Sequence, residues 1–233
     1  DAVHAIGVSL TVGKTDSETI PENKTTSATY GEKIIFTAKT KKAEVSLFSM
    51  ETQDEVDFYC GDTFIGSAKV KYSGDSGTAS LIYDTIDKKI SIGESVVKAY
   101  YGGSINLNGS ESDEIAVNLS QKELTVAGVT AIDKKYDGDD RVELNGGELS
   151  EAIFRDDVAL DTSGAYGTAA SYKAGIHNVT VNGFTIIGND AGYYTLKQPD
   201  YVTVKITKEK NSSGGYSLSE GRTERTEDDE SSR

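Results

Sequence analysis

The feature that most constrains this chain is a period-two alternation of apolar and polar residues in short runs, separated by polar or glycine-containing turns. It is clearest from Ile115 to Gly128, where Ile115, Val117 and Leu119 share one face and a new alternation starts at Leu124 and Val126 after the polar stretch 120–123. Side chains that repeat every second residue suit a half-buried strand and cannot line one face of a helix. A domain boundary is expected at this polar joint, because each side has its own set of strand-like runs.

Before the joint, alternating sets occur at Ile6–Val12, Ile34–Ala38, Val45–Leu47, Val56–Phe58, Phe64–Val70, Ala79–Tyr83, Val97–Tyr101 and Ile115–Leu119. Lys14–Ser27, polar and containing Pro21, reads as a loop, and Gly61-Asp62 as a hairpin turn. After the joint, strands are expected at 124–132, 142–144, 158–160, 179–181, 184–187, 193–196 and 202–206. Asn182-Gly183, between Val179-Thr-Val and Phe184-Thr-Ile, is the strongest hairpin signal, since both residues tolerate positive φ. From Glu209 onward almost no apolar residue remains, so burial cannot offset the entropy of ordering, and a disordered acidic tail is expected. The organisation expected is all-β: sandwiches over 1–121 and 122–208, then a tail over 209–233.

The net charge of −14 repels nucleic acid and anionic membrane surfaces. No run approaches the ~20 apolar residues of a membrane span, so neither nucleic acid nor membrane insertion is an expected partner. A single cysteine, Cys60, rules out an intrachain disulfide.

Catalysis has little to rest on. His4 and His177 are the only neutral-pH bases, and no nucleophile motif accompanies them. No catalytic residue and no enzyme is expected. Calcium is the one candidate cofactor, with Asp137, Asp139 and Asp140 in one turn and Asp156 and Asp157 in another as hard oxygen ligands. Tyr136-Asp137-Gly138 reads as a structural turn in which Asp caps, Gly supplies positive φ and the Tyr hydroxyl bonds backbone. Lys33 with Asn118, or Lys134 with a late Asn, could be drawn as isopeptide pairs. In Tyr100-Tyr101 and Tyr193-Tyr194 one ring points inward and the other outward, making Tyr100 and Tyr193 the candidate binding residues for sugar or peptide.

Two stretches carry family resemblances. Tyr30-Gly31 through Ala38, Val56 to Tyr59, Gly61, Ile65 to Ala68, Gly77 to Ala79 and Val97 to Gly103 resemble the bacterial immunoglobulin-like repeat, with departures at Cys60 and in the polar insertion 41–54. Lys135-Tyr-Asp-Gly138, Leu144 to Gly147, Leu149-Ser150, Asp156 to Val158, Ser163 to Ala165, and Gly188 to Gly192 followed by Tyr194-Thr-Leu196 resemble the YDG domain of bacterial adhesins and haemagglutinin-type proteins. Tyr193 and Ala169 depart from its usual residues. The resemblances imply two tandem immunoglobulin-like antiparallel β-sandwiches in an extracellular, cell-wall-attached bacterial surface protein. The role implied is spacing or adhesion, with further domains of that protein and a host glycan or extracellular protein as partners. The alternatives are a specific binding module and an accessory domain of a secreted polysaccharide-active enzyme.

Overall fold

The computed structural model describes residues 13–14, 16–41, 54–73, 76–104 and 107–208. The strands expected at 6–12 and 45–47 and the tail from 209 lie outside the described residues. What is described is an all-β, sandwich-like fold with two short 3-10 turns, Thr85–Asp87 and Ala191–Tyr193.

In the N-terminal half, one sheet runs Thr19–Pro21, Lys33–Lys41, Ser76–Asp84, Lys71–Ser73. The other runs Thr25–Thr29, Ile115–Ser120, Gly93–Tyr101, Glu55–Cys60, Thr63–Lys69, with Ser110–Glu111 beside Gly93–Tyr101. The alternation selects the inward faces: Ile34, Phe36, Val56, Phe58, Val97, Tyr101, Ile115, Val117 and Leu119 are all buried in one cluster. Phe36 packs between Phe58 and Tyr83, with centroids 6.1 and 6.4 Å away. Each such side chain contributes about 1.5–3 kcal/mol by leaving water.

Lys14–Ser27 is not the expected loop. It carries the strands Thr19–Pro21 and Thr25–Thr29, which join different sheets. Pro21 is admitted because its strand is an edge strand, where a missing N–H costs no ladder bond. Thr25–Thr29 then runs parallel to Ile115–Ser120. The Gly61-Asp62 turn holds, pairing Cys60 with Thr63 around a Gly61 at φ +55°.

The C-terminal half has a five-stranded sheet in the order Lys134–Lys135, Val202–Thr207, Gly175–Asn182, Tyr166–Ala169, Arg141–Val142. A three-stranded sheet places Lys122–Ala127 between Glu148–Ser150 and Tyr194–Lys197, and two short pairs complete the half. Val142, Val179, Val181, Phe184, Val204 and Ile206 lie in its separate core.

The strongest turn signal is spent differently than expected. Gly175–Asn182 pairs with Tyr166–Ala169 and Val202–Thr207, whereas Thr185–Ile187 pairs with Ala159–Asp161. Asn182-Gly183 is therefore a crossing between sheets, not a hairpin. Gly183 has φ +85°, and a Cβ there would lie 2.0 Å from the Gly164 carbonyl oxygen. Glycine is needed for positive φ, as expected, and also for close backbone passage.

The joint is shorter than the sequence suggests. Ile115–Ser120 and Lys122–Ala127 are separated by Gln121 alone, because Lys122 and Glu123 are taken into parallel pairing with Tyr194 and Thr195.

Candidate functional site

The two halves meet through a third buried cluster containing Tyr30, Leu124 and Tyr194. Tyr30 follows Thr25–Thr29 and is fixed by its backbone N–H, which donates to the Ser120 carbonyl at 2.9 Å. Its ring lies 4.7 Å from Tyr193 and 5.4 Å, edge-on, from Tyr194. The following Gly31 has φ +93°, and an added Cβ would sit 2.8 Å from Ile153 Cδ1. Ile153 thus occupies the space that a side chain at residue 31 would need.

Asp156 is the polar centre of this contact, its side chain only 7% exposed. Its Oδ2 accepts from the hydroxyls of Tyr30 at 2.8 Å and Tyr194 at 2.5 Å. Its Oδ1 accepts from the Lys88 ammonium at 2.9 Å, which also donates to Asp190 Oδ1 at 2.5 Å. Two donors thus come from the N-terminal half and one from the C-terminal half. Lys88 is aimed by its left-handed backbone, φ 58°, at the end of the Thr85–Asp87 turn. Its ammonium lies 5.4 Å from the Tyr193 ring centroid. Asp190 Oδ2 accepts from Asp157 N–H at 2.8 Å, and the Tyr194 hydroxyl accepts from Ile153 N–H at 3.1 Å. Gln121 finishes the joint, its side-chain amide donating to the carbonyls of Gly192 and Tyr194.

The ionisation states follow from these contacts. Burial alone would raise the Asp156 carboxyl, but the bonds from Tyr194, Lys88 and Tyr30 more than offset it and hold it below the usual carboxylate range. Asp190 is likewise lowered, by Lys88 and then by the Asp157 N–H. Burial and the bond to Asp156 push the Tyr194 hydroxyl up to about 12, and the same two causes raise Tyr30 further. Burial alone would lower Lys88, but Asp190 and Asp156 win and its ammonium is held above the ordinary lysine range. At neutral pH the centre is a carboxylate with three donors.

The expected site residues fall into three places. Tyr193 does not project as a free binding ring: it lies in the 3-10 turn, half-buried, with Tyr30 against its face and Lys88 nearby. Tyr100 does project, 47% exposed. Asp156 and Asp157 share no ligand position, since Asp156 faces Lys88 and the tyrosines while Asp157 Oδ2 accepts from Asn189 N and Nδ2 at 3.0 and 2.7 Å.

In the other turn, Lys134 donates to Asp137 Oδ1 at 2.9 Å and to the carbonyls of Asp139 and Arg141. Asp139 Oδ1 accepts from Arg141 N–H, and Asp140 is exposed. An ammonium therefore supplies positive charge where calcium was the candidate. Among the described residues no three His, Cys, Asp or Glu side chains group as a metal site.

In the Tyr-Asp-Gly triplet, Asp137 does cap by accepting from Asp139 N–H, and Gly138 has φ +83°. The Tyr136 ring instead tilts over Tyr172 at 6.2 Å, half exposed. Hydroxyl-to-backbone bonds of the expected kind occur at Tyr83, which accepts from Lys89 and Ile90 N–H. Lys33 and Asn118 are both exposed, on different sheets, so that isopeptide pair does not meet. His177 Nε2 donates to the Lys173 carbonyl at 2.7 Å, and His4 lies outside the described residues.

Sequence reasoning missed Lys88 and Asp190, and did not connect Tyr30 with Asp156. The available signal was a Tyr-Gly pair just after a strand, a buried-type ring beside a residue that leaves room for a neighbour.

Comparison with known proteins finds one family likeness, in the C-terminal half. Residues 120–204 match the model of the YDG domain family. None of the curated proteins is matched by the chain. The matched range opens at Ser120 and contains Asp156, Asp190, Tyr193 and Tyr194, while Tyr30 and Lys88 lie outside it.

Proposed function

We propose that this chain is a non-enzymatic, load-spanning module of a bacterial cell-surface protein, in which two immunoglobulin-like sandwiches over 1–121 and 122–208 are held in fixed orientation to space or project an adhesin. The observation that carries this reading is the joint. One residue, Gln121, separates the strands, and the Tyr30–Lys88–Asp156 centre ties together surfaces that a hinge would leave free. A one-residue connection with a buried charge-assisted contact resists bending.

The sheet orders of the N-terminal half support the immunoglobulin-like part. Taking its strands in chain order, the four-stranded sheet has the A-B-E-D arrangement, and the other has G-F-C flanked by the second half of a split first strand. An extracellular location rests on the YDG match, and the single cysteine fits a bacterial exterior better than a disulfide-stapled eukaryotic one. Further domains of the same surface protein are the partners this role requires.

Small-angle scattering on the whole chain, with residual dipolar couplings for residues 16–208, tests the proposal. A single orientation of the two halves should fit both data sets, and Asp156→Asn should broaden it. Independent tumbling of the two halves in the unmodified chain would refute the spacer reading.

A further inference from the structure

The outer face of the larger N-terminal sheet carries a second feature, remote from the joint. Beside the Gly61-Asp62 turn, Tyr59, Val96, Lys98, Tyr100, Glu111 and Glu114 line an open concavity of about 850 Å³, within the size range of small-ligand sites. All but Glu114 are on strands, and register sets their order. Tyr59 lies opposite Lys98, and Tyr100 opposite Glu111. Lys98 Nζ reaches Glu111 Oε1 at 2.6 Å, so an ion pair spans the floor between the two tyrosine positions. Tyr59 is steadied edge-on against Phe64 at 5.5 Å. Tyr100 and Val96 are 47% and 41% exposed.

We propose that this concavity binds an uncharged, polyhydroxylated ligand with an apolar ring face: a neutral hexose-containing glycan. The lining narrows the chemistry from both sides. Asp62, Glu111 and Glu114 against Lys98 leave carboxylates in excess, which disfavours sulfated, phosphorylated or uronic-acid ligands. Glu111, the carboxylate on the floor, is already taken by the Lys98 ammonium, so a cationic side chain finds no open acid there. Tyrosine rings offer flat apolar surface, and the Lys98–Glu111 pair and Glu114 supply donors and acceptors side by side, as adjacent hydroxyl groups require. These groups stand mostly on paired strands, so little ordering cost attends binding. The proposal is independent of the spacer reading, since none of its residues touches the joint.

The test is a set of titrations of the whole chain, followed by amide chemical shifts, with neutral glucose-, mannose- and galactose-based tetrasaccharides, a sulfated heparin-type tetrasaccharide and an oligolysine peptide. The expected result is saturable, salt-insensitive binding of at least one neutral tetrasaccharide, with shifts confined to Tyr59, Ser95 to Tyr100 and Glu111. Tyr100→Ala should weaken it about tenfold or more with melting temperature unchanged, Tyr59→Ala should weaken it as much while also lowering the melting temperature through the lost Phe64 contact, and Tyr100→Phe should retain it. Silence of every neutral probe at millimolar concentration would overturn the proposal. So would shifts mapping elsewhere, or affinity unmoved by both alanine variants. Salt-sensitive oligolysine binding without any neutral glycan would replace it with a basic-peptide site.

Discussion

Asp156→Asn is the most direct perturbation of the joint. The carboxylate accepts three bonds, from Tyr30, Tyr194 and Lys88. An asparagine oxygen in the Oδ2 place keeps both hydroxyls but turns its NH2 toward the Lys88 ammonium, donor against donor. Breaking a buried ion pair from one side costs about 3–5 kcal/mol. Lys88 is 28% exposed and keeps Asp190, which brings that loss to about 2–3 kcal/mol. The two hydroxyl bonds fall from charged to neutral acceptors, about 0.5–1 kcal/mol each. The expected sum is about 3–5 kcal/mol. For a unit of roughly 100 residues, where 1 kcal/mol is worth about 4–8 °C, even the low end lowers the melting point by about 10 °C or more. Calorimetry of the whole chain reads this directly, and a double-mutant cycle with Lys88→Met isolates the pair. A loss under about 1 kcal/mol, or additivity within about 0.3 kcal/mol, would refute the reasoning.

The same centre sets a pH window. A depressed Asp156 stabilises fully above the unfolded carboxyl value near ~3.9 and loses that contribution as pH falls through its lower folded value, whereas Tyr194, raised to about 12, contributes fully below pH ~10 and loses it as pH rises toward 12. Calorimetry should therefore find the joint's contribution constant from about pH 5 to 9, with the acid limb of the Asp156→Asn variant reduced to what Asp190, still paired with Lys88, supplies. Gly31→Ala should cost about 1–3 kcal/mol in urea unfolding, from its φ of +93° and the clash with Ile153, and Ile153→Ala in the same chain should recover the steric part. Gly183→Ala should cost more than Gly31→Ala, because what it meets is the Gly164 carbonyl at 2.0 Å rather than a side-chain tip. Millimolar calcium or chelator should leave the melting point unchanged, since Lys134 already occupies the Asp137 carboxylate and the Asp139 and Arg141 carbonyls; a rise of more than about 2 °C would show calcium held there.

The N-terminal core was legible because its rule is local. Period two places Phe36, Phe58, Val97 and Val117 inward whatever the strand order. The edge strand around Pro21 was not, because Thr19 and Thr25 gain strand character from partners far along the chain, Thr40 and Ala116. Asn182-Gly183 shows the same limit from the other side. Positive φ is written in the residue, but whether it closes a hairpin or permits a crossing depends on the Gly164 backbone passing beside it. At the joint, Asp156 was visible as a carboxylate and Tyr30 as a strand-end aromatic. Their meeting depends on how the halves stack, which no spacing within either half encodes. The sequence expectation of one outward tyrosine per Tyr-Tyr pair held at Tyr100 and failed at Tyr193, where a neighbouring half covers the ring.

Parallel pairing gives the connection a mechanical character. Thr25–Thr29 and Ile115–Ser120 run side by side over five residue pairs, extended by the Tyr30 N–H to Ser120 bond. Beyond Gln121, Lys122–Thr125 runs parallel to Tyr194–Lys197 over four. Tension entering ahead of Thr25 and leaving past Ser120 slides parallel neighbours along one another, so every rung of that ladder shares the load instead of opening in turn. The final strand is arranged alike, with Lys134–Lys135 parallel to Ile206–Thr207 and the Tyr136 N–H on the Thr207 carbonyl at 2.8 Å. Gln121 thus couples shear-loaded patches in series, and a pull along the chain is borne by hydrogen bonds acting together on both sides of it.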